Sequence, residues 1–225
     1  MGYKYQMHTH TSPCSRCGKL TPEGLARSLA EGGYQGAVLT NHFKGGNSGI
    51  DRELPWNKFV MAYENDYLAC KRAAEKYDLD IIFGIEEHIE GGLEILVYGI
   101  TPDVLYDYPI LHSRYFDLWY MVMHEAGGLV IQAHPYRKCT YIPRPQVIDL
   151  KWIDGIEVYN ASNAPEYNEA ADKFARAHPG IILTAGADAH TTDMVCTSGI
   201  EFDERIRNEK ELVRALQLEK YKLII

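Results

Sequence analysis

The sequence contains no apolar run that approaches the roughly 20 residues of a membrane-spanning helix. Its first residues, Met1 to Lys4, lead directly into a strand-like segment and lack the basic and apolar regions of a secretory signal peptide. The five cysteines are an odd number without the spacing of a disulfide framework, which is typical of a reducing compartment. These absences predict a cytoplasmic protein that does not contact a membrane.

An excess of positive charge is also absent, because the formal net charge is −8. This balance argues against a broad nucleic-acid-binding face, although it leaves room for a local basic pocket. The chain has no internal repeats, no low-complexity segment and no interior linker, and 225 residues are enough for one sizeable core. We therefore expect a single domain over residues 1–225.

The segment that stands out is Met7-His8-Thr9-His10, at the end of the first strand-like run. In an extended chain, residues two apart point to the same side, so His8 and His10 can aim both imidazoles at one point. A divalent metal ion requires such convergence. A lone His-x-His also fits a half-buried strand, so the interpretation depends on what recurs later in the chain.

Four further strand-like apolar runs each end in a histidine or an acid. These runs end at His42, Glu86, His134 and the segment Asp188-Ala189-His190. Chance rarely places histidines and carboxylates at the same end of successive strands. The pattern predicts a metal site at the carboxyl ends of the strands.

Strands and helices alternate about seven times, which predicts an α/β protein with a distorted, TIM-like, seven-stranded (β/α) barrel. One strand pair should be antiparallel, because the Gly91-Gly92 turn leaves no room for a crossover helix between the strands before and after it. The helices are expected at 21–32, 55–77, 108–126, 166–177 and 208–218.

Taken together, the motifs His8-x-His10, His42, Gly84-x-Glu86, His134-Pro135 and Asp188-x-His190 resemble those of the PHP (polymerase and histidinol phosphatase) superfamily. The resemblance runs from Met7 to about Asp203. It implies a barrel that holds two to three divalent metal ions, such as Mn²⁺, Zn²⁺ or Fe²⁺, and that hydrolyses phosphate esters with metal-activated water.

The resemblance also implies a ligand set. His8, His10, Glu86 and Asp188 would hold the first metal ion. Glu86 would bridge to a second ion that is shared with His134, and His42 and His190 would hold a third.

Two positions depart from the family pattern. Cys17 stands before Gly18 where the family often has His or Asp, and Glu94 begins a strand where the family often has His. Both residue types can bind a metal ion, but a thiol is softer and more easily oxidised. His88 competes with Glu94 for the second ion, because it lies two residues after Glu86 and can share its face.

Substrate contacts are expected from basic residues near the predicted ligands. Arg137, three residues after His134, is the leading candidate to bind a phosphate oxygen, and Arg16 and Lys44 are weaker ones. An alternative for Arg137 is a surface salt bridge. His42 or His190 are candidates to protonate the leaving oxygen, instead of or besides holding a metal ion.

The expected function is therefore that of a phosphoric ester hydrolase acting on a small phosphorylated metabolite or nucleotide. One alternative is a nuclease or proofreading activity on nucleic-acid ends, which the acidic charge disfavours. A second alternative is a metal-binding domain that has lost turnover.

Overall fold

The structure is a computed structural model that describes residues 2–113, 115–142 and 144–225. Met1, Arg114 and Pro143 lie outside the described residues, so the predicted domain 1–225 and the predicted helix 108–126 each include such positions. In the described part of the chain, the strands are β1 (Tyr3–Gln6), β2 (Gly36–Leu39), β3 (Asp80–His88), β4 (Glu94–Tyr98), β5 (Leu129–Gln132), β6 (Gly155–Asn160), β7 (Ile182–Gly186), β8 (Gly199–Phe202) and β9 (Tyr221–Ile224). The helices are α1 (Pro22–Glu31), α2 (Trp56–Glu75), α3 (Pro102–Asp107), α4 (Phe116–Glu125), α5 (Pro165–Ala177) and α6 (Glu209–Gln217).

The strands form one mixed sheet in the order β7-β6-β5-β4-β3-β2-β1-β8-β9. The prediction of a seven-stranded (β/α) barrel with one antiparallel pair is therefore wrong. Nine strands are present in the described residues, and four neighbouring pairs are antiparallel: β3 with β4, β4 with β5, β1 with β8, and β8 with β9.

The extra antiparallel pairs follow from how the chain connects its strands. Only a short 3₁₀ turn, Glu90–Gly92, joins β3 to β4, so β4 must run back along β3, as the glycine turn predicted. β8 follows β7 without an intervening helix and pairs antiparallel with β1 instead. β8 and helix α3 were both missed in the sequence because neither has a long periodic pattern.

The sheet nearly closes on itself. Beyond β7, the N–H of Ala189 donates to the carbonyl of His8 at 3.0 Å, and the N–H of His10 donates to the carbonyl of Ala189 at 2.9 Å. The Tyr221 hydroxyl in β9 donates to the carbonyl of Leu183 in β7 at 2.9 Å. These bonds bring the ends of β1 and β7 side by side, although the two strands are far apart in the sheet order.

The sheet separates two hydrophobic clusters. In β3, Ile82 belongs to the cluster inside the curved sheet, whereas Phe83 and Ile85 pack in the outer cluster against the helices. Because side chains alternate along a strand, Glu86 lies on the inner face with Ile82. The same alternation places Glu94 on the inner face of β4 with Leu96.

The predicted helix over 108–126 is also wrong in extent. The structure has a short 3₁₀ turn, Pro109–His112, and then α4, Phe116–Glu125. Ser113 and Tyr115 have extended backbone angles, which interrupt the helical hydrogen bonds between these two segments. Among the described helices, none is long and apolar enough to cross a membrane.

Candidate metal centre

The residues singled out in the sequence meet at one end of the curved sheet. His8 and His10 follow β1, His42 follows β2, Glu86 lies near the end of β3, Glu94 begins β4, His134 follows β5, and Asp188 and His190 follow β7. Their nitrogen and oxygen atoms form four overlapping groups, in each of which the candidate ligand atoms lie within 4.8 Å of one another. The groups are His8–His10–Asp188, His8–Glu86–His134, His42–Glu86–Glu94 and His10–His42–His190.

Glu86 lies at the centre of this arrangement. Its Oε1 is 3.1 Å from Nε2 of His8 and 3.3 Å from Nε2 of His134. Its Oε2 is 2.6 Å from Nδ1 of His42 and 3.5 Å from Nε2 of His10. One buried carboxylate therefore faces four imidazoles, and each of its oxygens is shared by two of them.

These short distances do not satisfy the buried atoms. Nε2 of His8, Nε2 of His10, Nδ1 of His42 and Oε2 of Glu86 are all buried, and none has a hydrogen-bond partner of correct geometry among the described residues. A buried polar atom without a partner normally costs about 1–3 kcal/mol. Four such atoms that converge on a common space fit a site for cations, because imidazole nitrogens and carboxylate oxygens are suitable ligands for Zn²⁺, Mn²⁺ and Fe²⁺.

The two carboxylate oxygens of Asp188 have different partners: one faces the histidines of the centre and the other contacts the guanidinium of Arg137. Its Oδ1 is 3.1 Å from Nε2 of His10 and 3.6 Å from Nε2 of His8. Its Oδ2 accepts a hydrogen bond from Nη1 of Arg137 at 2.5 Å. Asp188 has a φ of 52° and His134 a φ of 27°, a region that residues other than glycine rarely adopt. Such backbone strain is found at functional sites, where it directs a side chain that regular strand geometry would turn away.

Hydrogen bonds outside the centre determine which nitrogen of His10 carries the proton. Asn41 Oδ1 accepts from the N–H of Thr11 at 2.7 Å, so it also accepts the hydroxyl proton of Ser15 at 2.8 Å. Ser15 Oγ has no second proton to give and must accept from Nδ1 of His10, which lies 3.2 Å away. Neutral His10 therefore presents the lone pair of Nε2 to the centre.

His190 is held in the same orientation by a backbone group. Its Nδ1 lies 2.7 Å from the carbonyl oxygen of Asp188, which can only accept, so this nitrogen carries a proton. Its Nε2 is 3.1 Å from Sγ of Cys17. His190 and Cys17 are therefore neighbours at the more exposed edge of the centre, where the His190 side chain is 24% exposed.

Burial and neighbouring charges shift the pKa values of the candidate ligands in different directions. Burial opposes the ionisation of Glu86, but the adjacent His42 and His8 keep its pKa well below the usual range. Burial and the nearby His42 lower the pKa of His10 to about 3, so His10 is neutral at physiological pH. The pKa of His8 is raised well above 6.5, because Glu157, Asp188 and Glu86 outweigh its burial.

The centre opens into a cavity of about 510 Å³. This volume is within the range of small-molecule sites, roughly 300–1,000 Å³. The lining residues come from strands β3 and β4 and from the segments that follow β1, β2, β5 and β7. They are Cys17, His42, Gly45, Gly46, Asn47, Arg52, Glu86, His88, Glu94, His134, Arg137, Tyr141, Asp188 and His190.

Glu94 and His88, the two rivals for the second ion, lie beside each other at this cavity. Glu94 Oε2 is 3.5 Å from Nε2 of His134, and its Oε1 is 3.7 Å from Nδ1 of His88. Glu94 belongs to one of the four ligand groups, whereas His88 contacts the centre through Glu94. The geometry favours Glu94 as the ligand.

The three basic residues named in the sequence have different surroundings. Arg137 lines the cavity and donates to Asp188, Asn160 and Asn163, at 2.5, 2.9 and 2.7 Å. Arg16 is exposed on the loop after β1. Lys44 lies over the ring of Phe59 and lines a neighbouring cavity instead. Of the three, only Arg137 is among the residues that line the main cavity in the described chain.

Comparisons with known proteins support the fold. The family model described as PHP-associated matches residues 165–221. A two-domain protein containing a predicted PHP-like metal-dependent phosphoesterase from Bacteroides vulgatus matches with a TM-score of 0.70 and 16% identity, over 100% of this chain and 65% of that protein. No curated protein matches the chain in sequence.

The PHP-associated match at residues 165–221 and the fold shared with a predicted PHP-like phosphoesterase agree with the resemblance to the PHP superfamily found in the sequence motifs. Two further structures have the same fold. PsfC from Pseudomonas syringae matches with a TM-score of 0.70 and 13% identity, over 100% of this chain and 92% of PsfC. The lesion-specific endonuclease PfuEndoQ from Pyrococcus furiosus matches with a TM-score of 0.70 and 13% identity, over 99% of this chain and 58% of PfuEndoQ. At these identities, the likeness is one of fold.

Residues that the sequence motifs did not indicate also take part in this centre. Glu157 in β6 is buried and contacts His8, Asn41 and Ser15 orient His10, and Arg52 lines the cavity from the loop before α2. The available signal for Glu157 was an acid within an otherwise apolar strand, Gly155–Asn160. Asn41 and Arg52 had no such signal, because polar residues are ordinary at strand ends and in loops.

Proposed function

We propose that this chain is a metal-dependent hydrolase of phosphate esters, acting on a small phosphorylated metabolite or nucleotide. The observation that carries the proposal is the convergence of five histidines and three carboxylates on one cavity, with several of their buried nitrogen and oxygen atoms lacking a hydrogen-bond partner in the described chain. So many ionisable groups would be costly to bury together without cations between them.

The proposed ligands fall into three overlapping sets. His8, His10, Glu86 and Asp188 form the first set, Glu86, His134 and Glu94 the second, and His42, His190 and Cys17 the third. Bound divalent ions would lower the pKa of a coordinated water and neutralise charge on phosphate oxygens. The number of ions, two or three, depends on whether Cys17 completes the third set.

Arg137 is proposed to serve both the protein and the substrate. Three of its five N–H groups are directed to Asp188, Asn160 and Asn163, which fix the plane of the guanidinium. The two that remain, one on each terminal nitrogen, are available to a phosphate oxygen in the cavity that Arg137 lines. Because the side chain is held in place, little rotational freedom is lost when the substrate binds.

His42 and His190 are assigned a role at the cavity mouth. Both line the cavity, and His190 holds its Nδ1 proton against the carbonyl of Asp188, so its Nε2 is the atom that faces the mouth. In this position His190 can bind an ion or carry a proton to the leaving oxygen. Metal analysis of His190→Asn distinguishes these roles, because only a ligand role predicts the loss of an ion.

The test is a hydrolysis screen with defined metals. The protein is stripped with a chelator, reloaded separately with Mn²⁺, Zn²⁺ or Fe²⁺, and offered sugar phosphates, amino-alcohol phosphates, nucleotides, cyclic and bisphosphorylated nucleotides, and single- and double-stranded oligonucleotides. We expect metal-dependent release of phosphate from at least one small ester. Cleavage of oligonucleotides alone would establish the nuclease alternative, and bound metal without any turnover would establish a non-catalytic domain.

A further inference from the structure

Glu157 is a buried carboxylate on the inner side of the centre, with its side chain 1% exposed. Its Oε1 lies 3.0 Å from Nδ1 of His8. Its Oε2 accepts from the N–H of His134 at 3.0 Å and from Nδ2 of Asn160 at 2.8 Å. The backbone N–H of His134 and the Asn160 amide nitrogen can only donate, so Oε2 of Glu157 accepts two hydrogen bonds.

This arrangement has a consequence for His8. An ionised carboxylate can only accept, so Nδ1 of His8 must carry a proton. The opposite nitrogen, Nε2, faces Glu86 at 3.1 Å and Asp188 at 3.6 Å. We propose that Glu157 is a positioning residue that holds His8 with its Nδ1 proton outward and its Nε2 lone pair toward the centre, and thereby sets the affinity for the metal ion at that position.

The role assigned to Glu157 is indirect. Its oxygens contact the far side of the His8 ring, away from the atoms that converge on Glu86, and Glu157 belongs to none of the four ligand groups of the described chain. The same carboxylate also binds the backbone of His134, whose φ is 27°. Glu157 thus connects two proposed ligands that come from opposite parts of the chain, after β1 and after β5.

The surrounding backbone leaves this contact little freedom. A Cβ at Gly186 in β7 would lie 2.6 Å from Oε1 of Glu157 and 2.6 Å from Cβ of His8. Only glycine fits between the two side chains, so the sheet holds the carboxylate against the imidazole. Gly186→Ala is therefore a second way to disturb the contact, one that keeps the charge of Glu157.

The experiment compares Glu157→Gln with the unmodified protein, using Zn²⁺ as the probe. Glutamine keeps the shape but replaces one accepting oxygen with an NH₂ group, so one or more of the three donors loses its partner. We expect Zn²⁺ affinity, measured by competition with a chelator, to fall by about 10–100-fold, the range found for the loss of an outer partner of a metal-binding histidine. Glu169→Gln, which removes one charge from the exposed face of α5, should leave the affinity unchanged.

A spectroscopic measurement separates positioning from general destabilisation. In ¹⁵N-histidine-labelled protein loaded with Zn²⁺, His8 should show a protonated Nδ1 and a metal-bound Nε2. In Glu157→Gln, the Nδ1 proton should lose its protection from exchange with water. Wild-type affinity in folded Glu157→Gln would overturn the proposal. The proposal would also be overturned if His8 of the unmodified protein bound Zn²⁺ through Nδ1 or did not bind it. This second measurement needs no variant, so it decides the matter even if the variants do not fold.

The inference rests on the proposed metal centre, but it fails separately from the proposed activity. A protein that binds Zn²⁺ through Nε2 of His8 and hydrolyses no phosphate ester would refute the activity and leave the role of Glu157 intact. An active enzyme with an indifferent Glu157→Gln variant would do the reverse.

Discussion

The proposed metal centre has two halves with different surroundings. The inner half, His8, Glu86, His134 and Asp188, is at most 5% exposed. The mouth half, Cys17, His42 and His190, is more open, with 24% of the His190 side chain exposed. The inner half contains two carboxylates, whereas the mouth half offers a thiol and two imidazoles.

The two halves also differ in how they are held. In the inner half, other side chains contact the proposed ligands: Glu157 of β6 contacts His8, and Arg137, on the segment after β5, contacts Asp188. In the mouth half, His190 is fixed by a backbone carbonyl, and Cys17 lies on the loop after β1. The donors of the inner half therefore suit ions that prefer oxygen and nitrogen ligands, whereas the thiol of the mouth half suits softer ions.

The strongest test of the inner half is Glu86→Gln. The amide keeps the shape of the side chain but removes the charge and one of the oxygens that face four imidazoles. We expect at least one metal ion fewer by elemental analysis and a loss of roughly 100-fold or more in kcat/KM, about 2.7 kcal/mol.

The matched control for this variant is Glu87→Gln. Glu87 lies on the opposite face of β3 by strand alternation, and its Oε1 accepts from the N–H of His88 at 2.8 Å. Metal content should stay as in the unmodified protein. Loss of metal in Glu87→Gln and its retention in Glu86→Gln would show that the inner half is built on a different register of β3.

The second test is the pH dependence of metal binding. The pKa of His8 and that of His42 are raised well above 6.5, because nearby carboxylates, and Cys17 in the case of His42, outweigh burial. Without metal, both imidazoles therefore hold a proton at pH 6.5, and an ion must displace it. Affinity should rise with pH above 6.5, by about tenfold per pH unit for each proton released.

Titration calorimetry in buffers of different ionisation enthalpy measures these protons directly. His10, whose pKa is about 3, should contribute none. A metal affinity that does not change between pH 6.5 and 8 would mean that the inner half does not bind through His8.

The third test concerns Arg137, which connects the inner half to the substrate. Arg137→Ala should lower kcat/KM by roughly tenfold or more, about 1.4 kcal/mol, through loss of a phosphate contact. Because Nη1 of Arg137 lies 2.5 Å from Oδ2 of Asp188, metal affinity should fall as well. Arg137→Lys is the comparison, since it keeps the charge but cannot contact Asp188, Asn160 and Asn163 together. Unchanged kinetics in both variants would reduce Arg137 to a structural ion pair.

The sequence named candidate ligands in both halves, but not the residues that hold them. Strand endings in His, Glu or Asp indicate the candidates, because period-two alternation and the position at strand ends are local properties. The number of strands was wrong, since β8 pairs with β1 across almost the whole chain and has little local signal. Glu157 was missed for the same reason, because its partner His8 is 149 residues away.

The smallest expected effect concerns Cys17 and tests whether its thiolate is a metal ligand in the mouth half. Although burial opposes it, hydrogen bonds with His190 and His42 lower the pKa of the Cys17 thiol to about 6. The thiolate is the reactive form, so alkylation of metal-free protein by iodoacetamide should reach half its maximal rate near pH 6. Cys14 and Cys70 are internal controls, because burial raises the pKa of both thiols and they should stay unmodified in the folded protein. Peptide mass spectrometry measures all of these sites in one sample.

If Cys17 binds the third ion, Zn²⁺ should protect its thiol from alkylation. Cys17→Ser should weaken Zn²⁺ retention, since a hydroxyl is a poor substitute for a thiolate toward Zn²⁺. Activity supported by Mn²⁺ should change by no more than a few-fold. Equal alkylation with and without Zn²⁺ would place Cys17 outside the centre and leave the mouth with imidazoles alone.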